Sequence, residues 1–423
     1  WTLEACVKRA IEKNISIKQS QLDLSTAKTY KSTAVGSFLP TLNLGGSHSW
    51  NVGLNQNITT GILENLTTQS TALNMNVGID IYKGLRNIKQ LHRANLSVLA
   101  SQYQLEDMQE DISLLVANSY LQILFNKETL SIQKSQYIIA NKEYVIAEER
   151  HKNGIIPKGD LYELSANTAS MEQRVVVAEN NYQLSKMALA QLLRIPDINK
   201  FDIVNEEYEI PLTDVLNEDV AAIYAAALAK KSDIKLAATN LKIAKKDLEI
   251  SKSALQPSIS GFYSYNSRVL LDNADSFSEQ FDRNAGQNFG VQLSIPIFNG
   301  LSNQANIKRS KINILKSENI LEQLKLDLEN TINQAYNDTK GAFKAHQAAE
   351  KTLLARETAY LYAKDLFTNG ALSTLNFLQA QQRFEAAQSE LVKTKYDFIF
   401  KLKVLEFYFG IPIASSVNNV SNQ

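Results

Sequence analysis

The feature that most constrains this chain is that it repeats itself. Displaced by 217 residues, Ala10, Lys13, Ile17, Lys18, Leu24, Ala27, Lys28 and Pro40 fall on Ala227, Lys230, Ile234, Lys235, Leu241, Ala244, Lys245 and Pro257. Displaced by 216, Ile79, Ile81, Gly84, Leu85 and Asn87 fall on Ile295, Ile297, Gly300, Leu301 and Asn303. The same shift carries Arg93, Tyr120 and Tyr144 onto Arg309, Tyr336 and Tyr360, and Asn153-Gly154 onto Asn369-Gly370. Ile195-Pro196 likewise falls on Ile411-Pro412. A repeat that long and that regular means one architecture used twice. The expected organisation is a first repeat over 1–196, a connector over 197–216, a second repeat over 217–412 and a tail over 413–423.

Each half reads as helix, strand, strand, very long helix, turn, shorter helix. In the first, a helix over 3–35 is stopped by Gly36 and Pro40, because proline cannot continue it. Strands over 41–54 and 70–82 follow, then a helix over 85–152, an Asn153-Gly154 stop and a helix over 160–194. The second half predicts a helix over 218–253, strands over 258–270 and 287–298, and helices over 301–368 and 373–409. Loops near 55–69 and 271–286 connect the strands and are expected to be mobile.

The strands carry different chemistry on their two faces. Leu42, Leu44, Trp50 and Val52 alternate with Asn43, Ser47 and Asn51, while Leu73, Met75, Val77 and Ile79 alternate with Asn74 and Asn76. Phe289, Val291, Leu293 and Ile295 alternate with Asn288 and Gln292. Only the strand at 258–270 alternates less cleanly, with Phe262 on the wrong parity. Period-two alternation puts one chemistry on each face. A half-buried sheet in a water-soluble domain also alternates. These strands, however, run about 12–14 residues, suited to crossing a bilayer at a tilt. Their polar face is Asn, Ser, Gly and Gln, fit for a watery lumen, and the rest of the chain is elongated helix with no globular core to pack on. The apolar residues are therefore expected to face lipid and the polar ones a lumen. Four strands cannot close a barrel, and open edges in lipid strand their backbone groups. Two copies would give eight strands, filled by side chains; three give twelve and leave a pore.

A helix over 85–152 would be on the order of 100 Å long, and the two shorter helices of its half nearly sum to that length. Ile88, Leu91, Leu99, Tyr103, Met108, Ile112 and Leu115 fit a coiled-coil seam. The fold class expected is mixed, mainly α: a trimeric twelve-stranded transmembrane β-barrel, four strands per chain, continued by a long α-helical coiled-coil barrel.

Composition excludes much else. Lys+Arg and Asp+Glu both number 44, so charge gives no reason to expect nucleic acid. The single cysteine, Cys6, rules out a disulfide framework. His48, His92, His151 and His346 lack metal-ligand spacing, and no phosphate loop, nucleophile elbow or paired-acid motif occurs. No enzyme, metal or cofactor is expected, and the scarcity of Met and His argues against metal specialisation. No stretch approaches the roughly 18 apolar residues of a spanning helix. The opening on Trp1 fits a mature form whose signal peptide has been removed.

With the opening Trp1-Thr2-Leu3-Glu4-Ala5-Cys6, the prolines of Phe38-Leu39-Pro40 and Leu255-Gln256-Pro257 ahead of each hairpin, and Ile295-Pro296-Ile297-Phe298-Asn299-Gly300 after the last strand, the chain resembles the TolC family of outer-membrane efflux proteins. The duplicated layout carries the resemblance over essentially the whole chain. The resemblance implies a homotrimer in the bacterial outer membrane with a periplasmic tunnel closed at its far tip. It implies an exit duct for a tripartite efflux pump or type I secretion system. A periplasmic adaptor would dock on the turns at Asn153, Gly154, Asn369 and Gly370, linking to an inner-membrane pump of RND, ABC or MFS type. The competing reading is a soluble periplasmic coiled-coil adaptor or scaffold.

Better-known members of that family line the tip constriction with acidic residues just after the second-half turn. The matching positions here are Asn376 and Gln379, a departure, whereas the first half keeps carboxylates at Asp160 and Glu163. Three chains would place six carboxylates near the closed end, favouring cations. Asp-x-x-Glu at a helix start reads equally as a capping box, and both readings stay open.

Overall fold

The computed structural model describes residues 1–57, 60–204, 216, 218–271 and 275–411. The tail expected over 413–423, together with Pro211, Pro412 and most of the connector, lies outside the described residues.

The chain opens with α1 (Leu3–Lys13), capped by the Thr2 Oγ1, which accepts from the Ala5 N–H at 3.2 Å. The unbroken helix expected over 3–35 is interrupted at Asn14, whose ψ of 137° is extended, and restarts as α2 (Ile15–Gly36). The Asn14 Oδ1 accepts from the Ser16 N–H at 2.8 Å and so opens the new helix, a local bond that competes with the helical ladder. The second half breaks at the equivalent position: α5 (Val220–Lys230) stops at Lys231, ψ 129°, and α6 (Ser232–Ser253) follows. Both breaks keep the incoming N–H bonded, to the Ala10 and Ala227 carbonyls at 2.8 Å. The single helix expected over 218–253 is thus also two.

Four strands form one antiparallel sheet in the order β1-β2-β3-β4: β1 (Thr41–Gln56), β2 (Leu63–Lys83), β3 (Ser258–Leu270) and β4 (Gly286–Ser294). β3 keeps its expected bounds. β2 starts at Leu63 rather than 70, since Leu63–Thr68 pair with Asn51–Gln56 although they hardly alternate. β4 ends at Ser294 rather than 298, ahead of Pro296, which has no N–H to give a ladder. The segment between β3 and β4, expected as a mobile loop, holds a short helix, α7 (Phe277–Arg283), with a Ser276/Glu279 capping box.

Two helices of 67 residues each, α3 (Arg86–Lys152) and α8 (Ser302–Thr368), leave the two hairpins. The 11, 22 and 35 residues of α1, α2 and α4 (Lys158–Leu192) together match α3 to within one; α5, α6 and α9 (Thr374–Phe409) match α8 to within two. The start of each long helix is built identically. Leu85 and Leu301 sit at φ 59° and 66°, a left-handed conformation that costs a side-chain-bearing residue about 1–2 kcal/mol. Asn87 Nδ2 donates to the Ser37 carbonyl at 2.9 Å and Asn303 Nδ2 to the Ala254 carbonyl at 3.0 Å, lashing each long helix to the one before its hairpin.

Compactness divides the chain across the repeats. One unit comprises the described residues of Trp1–Gln21, Tyr103–Lys235 and Glu322–Gln423; the other comprises Leu22–Gln102 and Leu236–Leu321. The first unit owns the main core, where Leu3, Cys6, Ala10 and Ile17 pack with Val116, Tyr120, Ile123, Leu189, Phe201 and Ile399. Full burial of each aliphatic side chain is worth about 1.5–3 kcal/mol. The Tyr120 hydroxyl donates to the Trp1 and Val204 carbonyls at 3.3 and 3.5 Å, and its counterpart Tyr336 donates to the Leu216 carbonyl at 3.2 Å. Burial pushes the Cys6 thiol up to about 11, so it acts as a small apolar residue.

Candidate functional site

The strand register sorts the sheet residues into rungs. One rung runs Leu42, Val77, Tyr263, Phe289; the next Leu44, Met75, Tyr265, Gln287; another Ile79, Gly261, Val291. Leu73, Trp50, Val52 and Leu293 share their parity and hence their face. On the opposite face Asn43, Asn76, Ser264 and Asn288 form one rung, Gly45, Asn74 and Asn266 another, and Ser47, Asn51 and Gln292 belong with them. The two sets expected from the sequence therefore separate cleanly. Ile295 is the exception, because it lies beyond the end of β4. Phe262 does belong to the polar face, and its ring lies over the space that Gly290 leaves empty.

Among the described residues this sheet has no partner layer on its apolar face over most of its length: Leu42, Leu44 and Val52 are 66–77% exposed, as are Phe289 at 77% and Val291 at 68%. β1 and β4 are both open edges. In water such a surface would associate edge to edge. In lipid the apolar face is satisfied, but each unpaired N–H and C=O still costs several kcal/mol.

At the far ends of α3 and α8, both Asn-Gly turns end their helices in the same hydrogen-bond pattern. Gly154 N–H donates to the His151 carbonyl and Ile155 N–H to Arg150, both at 2.9 Å; Gly370 and Ala371 repeat this onto Phe367 and Leu366 at 3.1 and 2.8 Å. Gly154 and Gly370 take φ 74° and 72°, the left-handed position after a helix that glycine fills without steric cost. The turns are neighbours: Ala147, Leu164 and Leu378 bury together with Ile156 and Phe367 packed on them, and Arg150 Nη2 donates to the Thr368 carbonyl at 3.0 Å.

The capping-box alternative for Asp160 and Glu163 does not form. α4 starts two residues before Asp160, its N-cap is Pro157, and Pro157 offers no side-chain bond. Asp160 is half-buried in the first turn and Glu163 is exposed in the next. In the second half Ser373 is the cap and accepts from the Asn376 N–H at 3.4 Å, while Asn376 and Gln379 are exposed.

Above the tip lies a buried polar network that the sequence did not reveal. Glu143 on α3 accepts from the Tyr360 hydroxyl at 3.2 Å and pairs with Lys364 at 3.3 Å, both on α8. Glu385 on α9 faces Arg174 on α4 at 3.7 Å, and Gln136 donates to Gln388 at 2.9 Å. Burial raises both carboxyls above their ordinary range, against the pull of Lys364 on Glu143 and of Gln381 and Arg174 on Glu385. Only Tyr144/Tyr360 in the repeat alignment hinted at this region. Among the described residues no group of three or more His, Cys, Asp or Glu could hold a metal, and no helix is long and apolar enough to cross a membrane.

The family model for "Outer membrane efflux protein" matches residues 6–193 and again 223–410. The chain is 24% identical over 415 residues to the cation efflux system protein CusC of Escherichia coli (strain K12), covering 93% of this chain and 83% of that protein. To the outer membrane protein TolC of the same strain it is 19% identical, covering 91% and 77%. The Campylobacter jejuni CmeC outer membrane channel superposes with a TM-score of 0.81 at 18% identity, covering 97% of this chain and 86% of that one. Of these relatives one is named for cation efflux, one as an outer membrane protein and one as an outer membrane channel. The chain belongs to the outer membrane efflux protein family.

Proposed function

We propose that three copies of this chain pool their sheets into one twelve-stranded cylinder and form the exit duct of a tripartite efflux assembly or type I secretion system. The observation that carries this reading is the sheet itself: one bare apolar face, one Asn-rich face and two unpaired edges. Pairing β1 of one copy with β4 of the next removes every edge, and twelve strands leave a water-filled interior where eight would not. The face carrying Asn43, Ser47, Asn51, Asn74, Asn76, Asn288 and Gln292 lines that interior, and the Leu42, Met75 and Phe289 face meets outer-membrane lipid.

The Asn153-Gly154 and Asn369-Gly370 turns, side by side at the far end of the long helices, are the docking surface for a periplasmic adaptor. The adaptor in turn engages an inner-membrane pump of RND, ABC or MFS type. Asp160 and Glu163 act as a tip constriction that favours cations, with Asn376 and Gln379 as its neutral second-half counterparts. The position of Asp160 inside the first turn of α4, rather than at its N-cap, supports this role. Cation export, which the CusC relative bears in its name, fits such a constriction without requiring metal-specific ligands.

Single-channel recording of the reconstituted protein tests the tip assignment. Asp160→Asn with Glu163→Gln is expected to bring the cation-to-anion permeability ratio severalfold closer to unity while leaving trimers intact. Unchanged ion selectivity would remove these carboxylates from the permeation path.

A further inference from the structure

The geometry points to a second ligand site on the apolar face of the sheet: a groove beneath α7 that holds an acyl chain of an outer-leaflet lipid. The inference rests on the duct reading, because that reading puts this face in the membrane.

α7 is fixed to the sheet by a set of buried bonds. Gln280, 3% exposed, accepts from the Leu270 N–H at 3.0 Å through Oε1 and donates through Nε2 to the Leu270 and Asp275 carbonyls, both at 2.9 Å. Ser267 Oγ donates to the Phe281 carbonyl at 2.6 Å. These bonds hold α7 over the rungs Gly46–Leu73–Ser267 and His48–Thr71–Val269, which share the face of Leu42, Met75 and Phe289.

The rung beneath, Leu44–Met75–Tyr265, is filled by large side chains. The Gly46 rung is not: Gly46 and Ser267 flank Leu73 and leave a hollow. The result is a cavity of about 520 Å3 lined on this face by Gly46, His48, Thr71, Leu73, Ser267 and Val269 and from α7 by Phe277 and Phe281, with no Asp, Glu, Lys or Arg in its wall. Phe277 and Phe281 stack at 6.3 Å, and Phe277 is 52% exposed, so the wall opens toward the surroundings of the sheet. On the opposite face a polar recess lined by Asn51, Asn55, Arg268 and Asn284 begins at the Ala72–Arg268 rung and extends further toward the β1–β2 turn. Parity thus separates a wet recess from a dry groove.

Three features choose the occupant. The groove is continuous with the apolar rungs that meet lipid. Its wall carries no charged carboxylate, lysine or arginine. His48 Nδ1 and Thr71 Oγ1 bond to each other at 2.9 Å and Ser267 to the Phe281 carbonyl, so what it offers is mainly apolar contact to a hydrocarbon chain. It sits at mid-length of β2, beside the end of β3 and on the far side of the filled Leu44–Met75–Tyr265 rung from α2 and α3, so with the helices periplasmic it lies outward of the filled apolar rungs.

Native mass spectrometry of detergent-purified trimers incubated with hexa-acylated lipid A tests this. Wild-type trimers are expected to retain up to three lipid A molecules. Gly46→Phe fills the groove; a Cβ there meets only the Ala72 carbonyl and Leu73 Cδ1 at 3.9 Å, so the side chain has room. It is expected to lower retention at least tenfold, and Phe277→Ala with Phe281→Ala, which removes the outer wall, to do the same. Gly45→Phe, one residue away on the polar face with nothing within 4 Å, is expected to retain lipid like wild type. Equal retention by Gly46→Phe, or none by wild type, overturns the site. Retention of phosphatidylethanolamine but not lipid A overturns the leaflet assignment. Conducting trimers that carry no lipid sink the groove alone, whereas failure of every protein, wild type included, to form a pore strikes the duct reading.

Discussion

The sheet and the helical core meet the same problem, hiding apolar surface, in opposite ways. The helices of the first compact unit bury Val116, Tyr120, Ile123, Leu189 and Ile399 against one another at 0% exposure, within a single chain. The sheet does the reverse: Leu42, Val52, Phe289 and Val291 stand bare, with no cover among the described residues. The first solution depends on packing, so shape decides its stability. The second depends on surroundings, so the chemistry of each face decides whether the sheet survives at all.

The largest expected effect breaks the sheet by face. Val77→Arg puts a charge on the apolar rung, costing about 2–4 kcal/mol per chain if the site is near the bilayer midplane, and the cost recurs in every copy. It is expected to abolish SDS-resistant oligomers. Asn76→Arg, one residue along, is expected to assemble normally and to change conductance. Equal loss from both would erase the distinction between the faces.

A smaller effect is expected in the helical core. Ile123→Ala opens a cavity in a dry cluster and should cost about 2–4 kcal/mol. Circular dichroism in detergent should show a lower helix melting temperature while the oligomers still assemble. Because such unfolding is often irreversible, melting at a fixed scan rate is the proper comparison.

Smaller again is the effect of pH. Asp107 on α3 is pushed up to about 6 by burial and then by Asp111, Asp233 and Glu110, against the pull of Lys231. A carboxyl whose pKa rises on folding binds its proton more tightly in the folded protein, so stability increases as pH falls from 7 through about 6 toward 4. Glu143 and Glu385 act with the same sign. Asp107→Asn should remove on the order of 1 kcal/mol of that gain, once solvent screening of this partly exposed group is allowed for. A melting temperature that rises just as steeply on acidification in the variant would contradict the assignment.

The smallest effect compares the two halves directly. Arg194 holds φ 53° and its counterpart Gly410 holds φ 86°, each ending its helix through the same pair of bonds. Arg194→Gly relieves a strained conformation and should stabilise by about 0.5 kcal/mol, read as a slightly higher melting temperature.

Legibility followed the range of the interactions. The two-faced alternation was readable because it is written into neighbouring residues, and the rungs keep it from Leu42 across to Phe289. Tip turns were readable because Asn-Gly carries its own stop. The breaks at Asn14 and Lys231 were not, since each needs only one residue to turn its ψ, and Lys231 has no local signature for that. α7 had a signature, Ser276-Phe277-Ser278-Glu279, that could have been read as a helix start. The first turn of α4 misled for the opposite reason, because Asp160 and Glu163 have capping spacing but sit inside the helix. The Glu143–Tyr360 and Arg174–Glu385 pairs join α3 to α8 and α4 to α9, each across more than 200 residues, and no local pattern encodes them.

Counting chains in the assembled particle is the most direct test of the pooled barrel. Native mass spectrometry of the complex released from outer-membrane extracts into mild detergent should give a single species of three chains, and the same preparation should insert single conductances into planar bilayers. A particle of one or two chains that still conducts would mean that the strands close by some other route.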